Sequence, residues 1–183
     1  GESLFYDPST SDNMTDVFRH YLAGQYDLFR PGTIFLAPFV NSYKRFQLGS
    51  FAGVKRTWGY NNRTVSLRAI VDSPESARLE HRVGGADLNP YVAFAYLLGA
   101  GMRGIENTLE PGLPYGGNAY NADVESVPLS LREAVEVAEA APVLKDIINP
   151  AMVDNLIRLA RFEYGVFDQT VTELERRRYF EMT

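Results

Sequence analysis

Six arginines fall between Asn41 and Arg82: Arg45, Arg56, Arg63, Arg68, Arg78 and Arg82. The same stretch holds three acids, Asp72, Glu75 and Glu80. Glu80 sits between Arg78 and Arg82 in a segment that reads as a strand. Alternation along a strand puts Arg78, Glu80 and Arg82 on one face, with Leu79, His81 and Val83 on the other. Two fixed guanidinium groups flanking one carboxylate could bind an anionic substrate beside a metal ion. Arginine suits that task because its planar fork matches carboxylate and phosphate oxygens. An exposed strand whose charges simply pair has the same pattern, so residue types alone do not decide.

Arg63 and Arg68 are five apart, which places them on opposite faces of a regular strand. They converge if a bulge intervenes or if Arg63 precedes the strand. His20 lies beside the apolar stripe of a helix and reads as structural, as does His81. Gly84-Gly85 and Gly99-Ala100-Gly101 lack the spacing and the lysine of a phosphate loop. No Ser-His-Asp motif occurs.

The elements that must carry these residues are a helix, a pair of strands and then further helices. Met14, Val17, Phe18, Tyr21 and Leu22 predict a helix from about Asp12 to Asp27, capped by Ser11 or Asp12. An apolar run covers Thr33 to Phe39, and residues 41–53 read as mixed, with Gly49 and Gly53 marking loop. Thr64 to Val71 and Ala77 to Val83 read as an antiparallel hairpin with a long connection. Asn89-Pro90 opens a helix to about Gly104 that is apolar on nearly every face and therefore expected to be central. Ser130-Leu131-Arg132-Glu133 is a capping box whose helix ends near Pro142. Asn149-Pro150 opens another helix, with Val153, Leu156, Ile157 and Ala160 on one face. An amphipathic segment follows from about Asp168 to Phe180. The expected class is α+β in one domain.

Composition narrows the function. The chain has 183 residues, 45 % hydrophobic and 22 % charged, as a packed domain requires. It has no cysteine, which excludes a disulfide, a thiolate zinc site and a cysteine nucleophile. A net charge of −5 without a basic run argues against nucleic acid. The stretch from Tyr91 to Met102 falls short of the roughly 20 residues that span a bilayer. The chain start has no signal-peptide pattern, and the two Asn-X-Thr sequons therefore carry no weight.

Asn41-Ser42-Tyr43-Lys44-Arg45, Asn62-Arg63-Thr64 through Arg68, Arg78-Leu79-Glu80-His81-Arg82 and Asn89-Pro90-Tyr91 occur in the order and at the spacing of one family. In these segments the sequence resembles the glutamine synthetases, most like the branch that makes γ-glutamylpolyamines and γ-glutamylamines. Gly1 to Asp7 looks like the stretch just past that family's metal-binding histidine. The resemblance implies a cytoplasmic ATP-dependent ligase that phosphorylates the side-chain carboxylate of glutamate and lets an amine or ammonia displace phosphate. It implies Mg2+ or Mn2+ as cofactor, with stacked rings of identical subunits as the assembly. It places Arg63, Arg68 and Arg78 on nucleotide phosphates, with Arg63 and Arg68 on the transferred phosphoryl group. It makes Glu80 a metal ligand and sets Arg45 and Arg82 on glutamate.

By the same correspondence residues 1–183 are the C-terminal portion of the catalytic domain. The N-terminal β-grasp domain and the other metal ligands lie upstream, so the chain alone is expected to be inactive. Counting from Arg45, Phe51 stands where ammonia-using members carry a flap glutamate. Phenylalanine offers neither a base nor a charge to attract ammonium. That departure, with Trp58-Gly59 and Asn61-Asn62, points to a larger organic amine or polyamine as acceptor. Ammonia-dependent glutamine synthesis and a non-catalytic structural role are the alternatives.

Overall fold

Thr15 starts the first helix, because its hydroxyl accepts from the Phe18 amide at 3.1 Å. The computed structural model describes residues 3–47 and 50–182. Helix α1 spans Asp16–Asp27, which starts later than the expected Asp12. Asn13 adopts a left-handed backbone at φ 58° and Met14 bridges to Tyr6, so the chain cannot be helical there. The Asp12 carboxylate is used instead by Arg19 and by the Tyr60 hydroxyl. The apolar run after Pro31 forms a single helical turn, α2 (Thr33–Leu36), and Val40–Arg45 forms a 3-10 turn.

The sheet has three strands: β1 (Trp58–Tyr60), β2 (Leu67–Ile70) and β3 (Arg78–His81). The expected hairpin is present, since β2 and β3 are antiparallel with Arg68 opposite Glu80 and Ala69 opposite Leu79. Strand β1, which alternation did not reveal, lies parallel to β2 with Gly59 opposite Arg68. Three residues are too few for a period-two signal. One sheet face packs Trp58, Leu67 and Ala69 against Met14, Phe18 and Leu22. The other carries the charges.

Asn89 caps α3 (Pro90–Glu106) as its sequence predicts, accepting from the amides of Tyr91 and Val92. Val92, Ala93, Tyr96 and Ala100 are buried, but Tyr91, Phe94, Leu98 and Met102 are exposed along the opposite side. The helix is thus half covered within this chain rather than central. Three more helices, α4 (Leu131–Glu139), α5 (Leu144–Ile147) and α6 (Pro150–Gln169), close the larger core over Leu36, Tyr96 and Leu144. In the Ser130 box the serine accepts from the Glu133 amide, while the Glu133 carboxylate accepts from Leu129. The expected final segment is split. After α6 the chain breaks at Thr170, and Thr172 caps α7 (Glu173–Tyr179), which buries no residue. The class is α+β, as expected.

Candidate functional site

The charged sheet face is built from one ladder pair and one residue beyond it. Arg68 Nη1 lies 3.0 Å from Glu80 Oε2, and Arg82 Nε lies 3.3 Å from Glu80 Oε1. Two guanidinium groups flank the carboxylate, but they are Arg68 and Arg82 rather than Arg78 and Arg82. Arg68 is the directly opposed cross-strand partner of Glu80, and of the two same-face neighbours Arg82 turns to the carboxylate while Arg78 turns to the Ser76 carbonyl. Arg78 is exposed and donates to the Ser76 carbonyl at 2.8 Å.

Arg63 precedes β2, the second of the two ways in which it could join Arg68. It sits in a turn that Asn61 and Asn62 shape. Asn61 takes φ 49°, a conformation that asparagine tolerates better than most residues. Its side-chain oxygen accepts from Arg68 Nη2 at 3.3 Å. Asn62 Oδ1 accepts from the Thr64 amide at 2.9 Å, and its Nδ2 donates to the carbonyls of Tyr115 and Gly117. A cavity of about 650 Å³, lined by Tyr60, Asn62, Thr64, Tyr115 and Gly117, opens beside this turn. Arg63 itself is exposed, and no ion pair engages it among the described residues.

Arg82 reaches furthest. Its Nη1 donates to the carbonyls of Arg63 and Val65, and its Nη2 donates to the Phe51 carbonyl at 3.0 Å. Arg45, at the end of the 3-10 turn, donates to the Val83 carbonyl, and burial pushes its guanidinium pKa down against the pull of Asp87. Arg56 leaves the group: it pairs with Glu125 at 3.3 Å and lies over the Tyr26 ring.

The face therefore offers Arg63 and Arg78 exposed, Arg68 and Arg82 paired with Glu80, and Arg45 bonded to a backbone carbonyl, as Arg82 is too. Arginine-rich surfaces of this type bind carboxylates and phosphates. As for a metal, no three His, Asp or Glu side chains converge among the described residues. Glu80 supplies one hard oxygen donor, which suits a magnesium ion held by one or two carboxylates and substrate phosphate. Further protein ligands would have to come from elsewhere. The asparagines that shape the Arg63 turn were missed as positioning residues; the Asn-Asn pair just before an arginine was the available signal.

Behind this face, His81 turns into the core. It packs on Phe29 with ring centroids 6.0 Å apart, and both ring nitrogens are sealed from solvent without a hydrogen-bond partner. Part of the residue still reaches the surface, but the nitrogens decide its titration. Burial lowers its pKa to about 4, below the unfolded value near 6.5. The unfolded chain thus protonates first as pH falls. His81 contributes full stability above pH ~6.5, and that contribution declines toward pH ~4, by on the order of 3 kcal/mol in all. Denaturant midpoints of wild type and His81→Gln across this range should differ in slope, with the variant flatter. Parallel slopes would remove His81 as the cause.

Residues 1–179 match the glutamine synthetase catalytic domain. The chain belongs to the glutamine synthetase family. Over 92 % of its length it is 47 % identical to a γ-glutamylethanolamide synthetase, GlnA4, of Streptomyces coelicolor, covering 36 % of that protein. It is 38 % identical over its whole length to type-1 glutamine synthetase 2 of Dictyostelium discoideum, covering 36 % of it. A glutamate–isopropylamine ligase from Pseudomonas is 36 % identical over the whole chain, with 40 % of that protein covered. Among solved structures, a GmaS/ADP complex superposes with a TM-score of 0.85 at 29 % identity, over 99 % of this chain and 43 % of that one. The chain spans less than half the length of each of these glutamine synthetase relatives.

Proposed function

We propose that the full-length protein is an ATP-dependent ligase that joins glutamate to an organic amine through a γ-glutamyl phosphate. The observation that carries this reading is the Arg68–Glu80–Arg82 group on the solvent side of the sheet, with Arg63 exposed at its edge. Phosphoryl transfer relies on fixed cations that stabilise charge on the moving group. Arg63, Arg68 and Arg78 take the nucleotide and the transferred phosphoryl group, and Arg45, by family correspondence, takes glutamate. Arg82 shares that assignment. Glu80 would hold Mg2+ or Mn2+, and the ion would neutralise phosphate charge.

Residues 1–183 are proposed as the C-terminal portion of the catalytic domain. They hold part of the site, in a cytoplasmic enzyme assembled as stacked rings. The acceptor is proposed to be an amine larger than ammonia. Phe51 brings an exposed aromatic ring, not a carboxylate, to a loop whose carbonyl is bonded to Arg82. The similarity to a protein named for ethanolamide synthesis supports the same choice.

The test is glutamate-dependent phosphate release by the full-length enzyme, comparing ammonium, ethanolamine, monoamines and polyamines. At least one organic amine is expected to exceed ammonium in kcat/KM by roughly tenfold or more, and residues 1–183 alone should be silent. Ammonium preference would make the protein a glutamine synthetase. Silence with every acceptor would favour a structural role.

A further inference from the structure

Arg68 lies on the central strand, and its guanidinium is held from both sides. Glu80, its partner on β3, meets Nη1 at 3.0 Å. On the other side the β1 residue opposite Arg68 is Gly59, which has no side chain to offer. The contact comes instead from Asn61, just past that strand, whose Oδ1 accepts from Nη2 at 3.3 Å. Arg68 Nε is buried without a hydrogen-bond partner among the described residues, so the two terminal nitrogens decide where the group points. The side chain is 16 % exposed, which leaves little water to hold it otherwise.

Asn61 is itself fixed. Its backbone is left-handed at φ 49°, and its main-chain N–H donates to the Ala69 carbonyl at 3.0 Å. Its side-chain Nδ2 donates to Asp72 Oδ1 at 2.6 Å. An ionised carboxylate only accepts, so Asp72 must face the amide nitrogen, and the amide oxygen is left for Arg68. Asparagine suits the place because it tolerates a positive φ and joins a donor to an acceptor in one planar group.

We infer that Asn61 and Asp72 are positioning residues for Arg68: Asp72 sets the sense of the Asn61 amide, and that amide aims the guanidinium at phosphate. This rests on the proposed ATP-dependent reaction, in which Arg68 takes the nucleotide and the transferred phosphoryl group. Each terminal nitrogen of a guanidinium keeps a second N–H after one bond, so direction is fixed while donors remain for phosphate.

In the full-length enzyme Asn61→Gly keeps the left-handed backbone without strain and removes the amide. It is expected to raise KM for ATP about tenfold, with KM for glutamate within about twofold of wild type. Both constants are independent of the fraction folded, so a loss of folded protein cannot imitate the split. Asp72→Asn keeps the shape but lets the facing amide turn over and present a donor to Arg68. KM for ATP is then expected to rise about threefold. If Asp72 acts through Asn61, the double variant has the ATP KM of Asn61→Gly alone. An unchanged ATP KM in Asn61→Gly, an equal rise for glutamate, or additive losses in the double variant would overturn the inference. A crystal structure of Asn61→Gly reads the anchor without any assay of activity. The Arg68 guanidinium is expected to leave its place or to spread over more than one conformer, and an unmoved group would overturn the inference. Absence of phosphate release by the unsubstituted enzyme would sink the ligase reading alone, while that structure would still decide the anchor.

Discussion

In the proposed full-length ligase, replacing Glu80 with glutamine is expected to lower kcat by about 10²–10³-fold, the usual loss when one preorganised electrostatic group is removed. Glutamine keeps the shape and one acceptor oxygen, so the ladder pair with Arg68 and the chain path into Arg82 should persist. What disappears is the single negative charge between Arg68 at 3.0 Å and Arg82 at 3.3 Å. The proposed divalent cation would then lose its carboxylate on this face, and two guanidinium groups lose the anion that orients them. The measurement is steady-state phosphate release with glutamate and ATP saturating, beside a thermal melt to show that the fold is kept. A loss below about fivefold with an unchanged melt would remove Glu80 from the reacting centre.

The second large effect concerns folding. Helices α1 and α3 cross backbone to backbone, and Gly24 and Gly104 make the approach possible. A Cβ on Gly104 would lie 2.0 Å from the His20 carbonyl oxygen and 2.6 Å from the Gly24 amide, and a Cβ on Gly24 would lie 2.0 Å from the Ala100 oxygen. These are main-chain atoms, which cannot step aside as a side chain can. Gly104→Val must force the helices apart, which disturbs the packing of α1 that backs the sheet. It is expected to cost at least about 3 kcal/mol, at or beyond the upper end for overpacked cores. Urea denaturation measures this directly. Gly165→Ala is the control: it lies within α6 with open space around it, and alanine there should gain up to about 1 kcal/mol. Equal midpoints for Gly104→Val and wild type would show that the crossing tolerates separation.

Much of the architecture is legible in the sequence. Asn89-Pro90, Asn149-Pro150 and Ser130 mark helix starts because a side-chain oxygen satisfies amides that lack partners within the helix, and this is a local effect. The β2–β3 hairpin was legible because alternation reports a half-buried sheet. Strand β1 was not, since a three-residue strand is held by its neighbour rather than by its own pattern. The exposure of Tyr91, Phe94, Leu98 and Met102 was equally hidden, because a helix apolar on all sides carries no period to show which face packs.

By itself the sequence determined the caps of α3, α4 and α6 though not that of α1, the hairpin, the identity of the arginines and Glu80, and the family to which they belong. These depend on residue type and short spacing. Tertiary structure decided which arginine pairs with Glu80, that Arg56 turns away to Glu125, and that Arg82 reaches the carbonyls of Arg63, Val65 and Phe51. Those outcomes depend on cross-strand register and on a long side chain choosing among oxygens that become neighbours when the chain folds. Such distances have no counterpart in linear spacing.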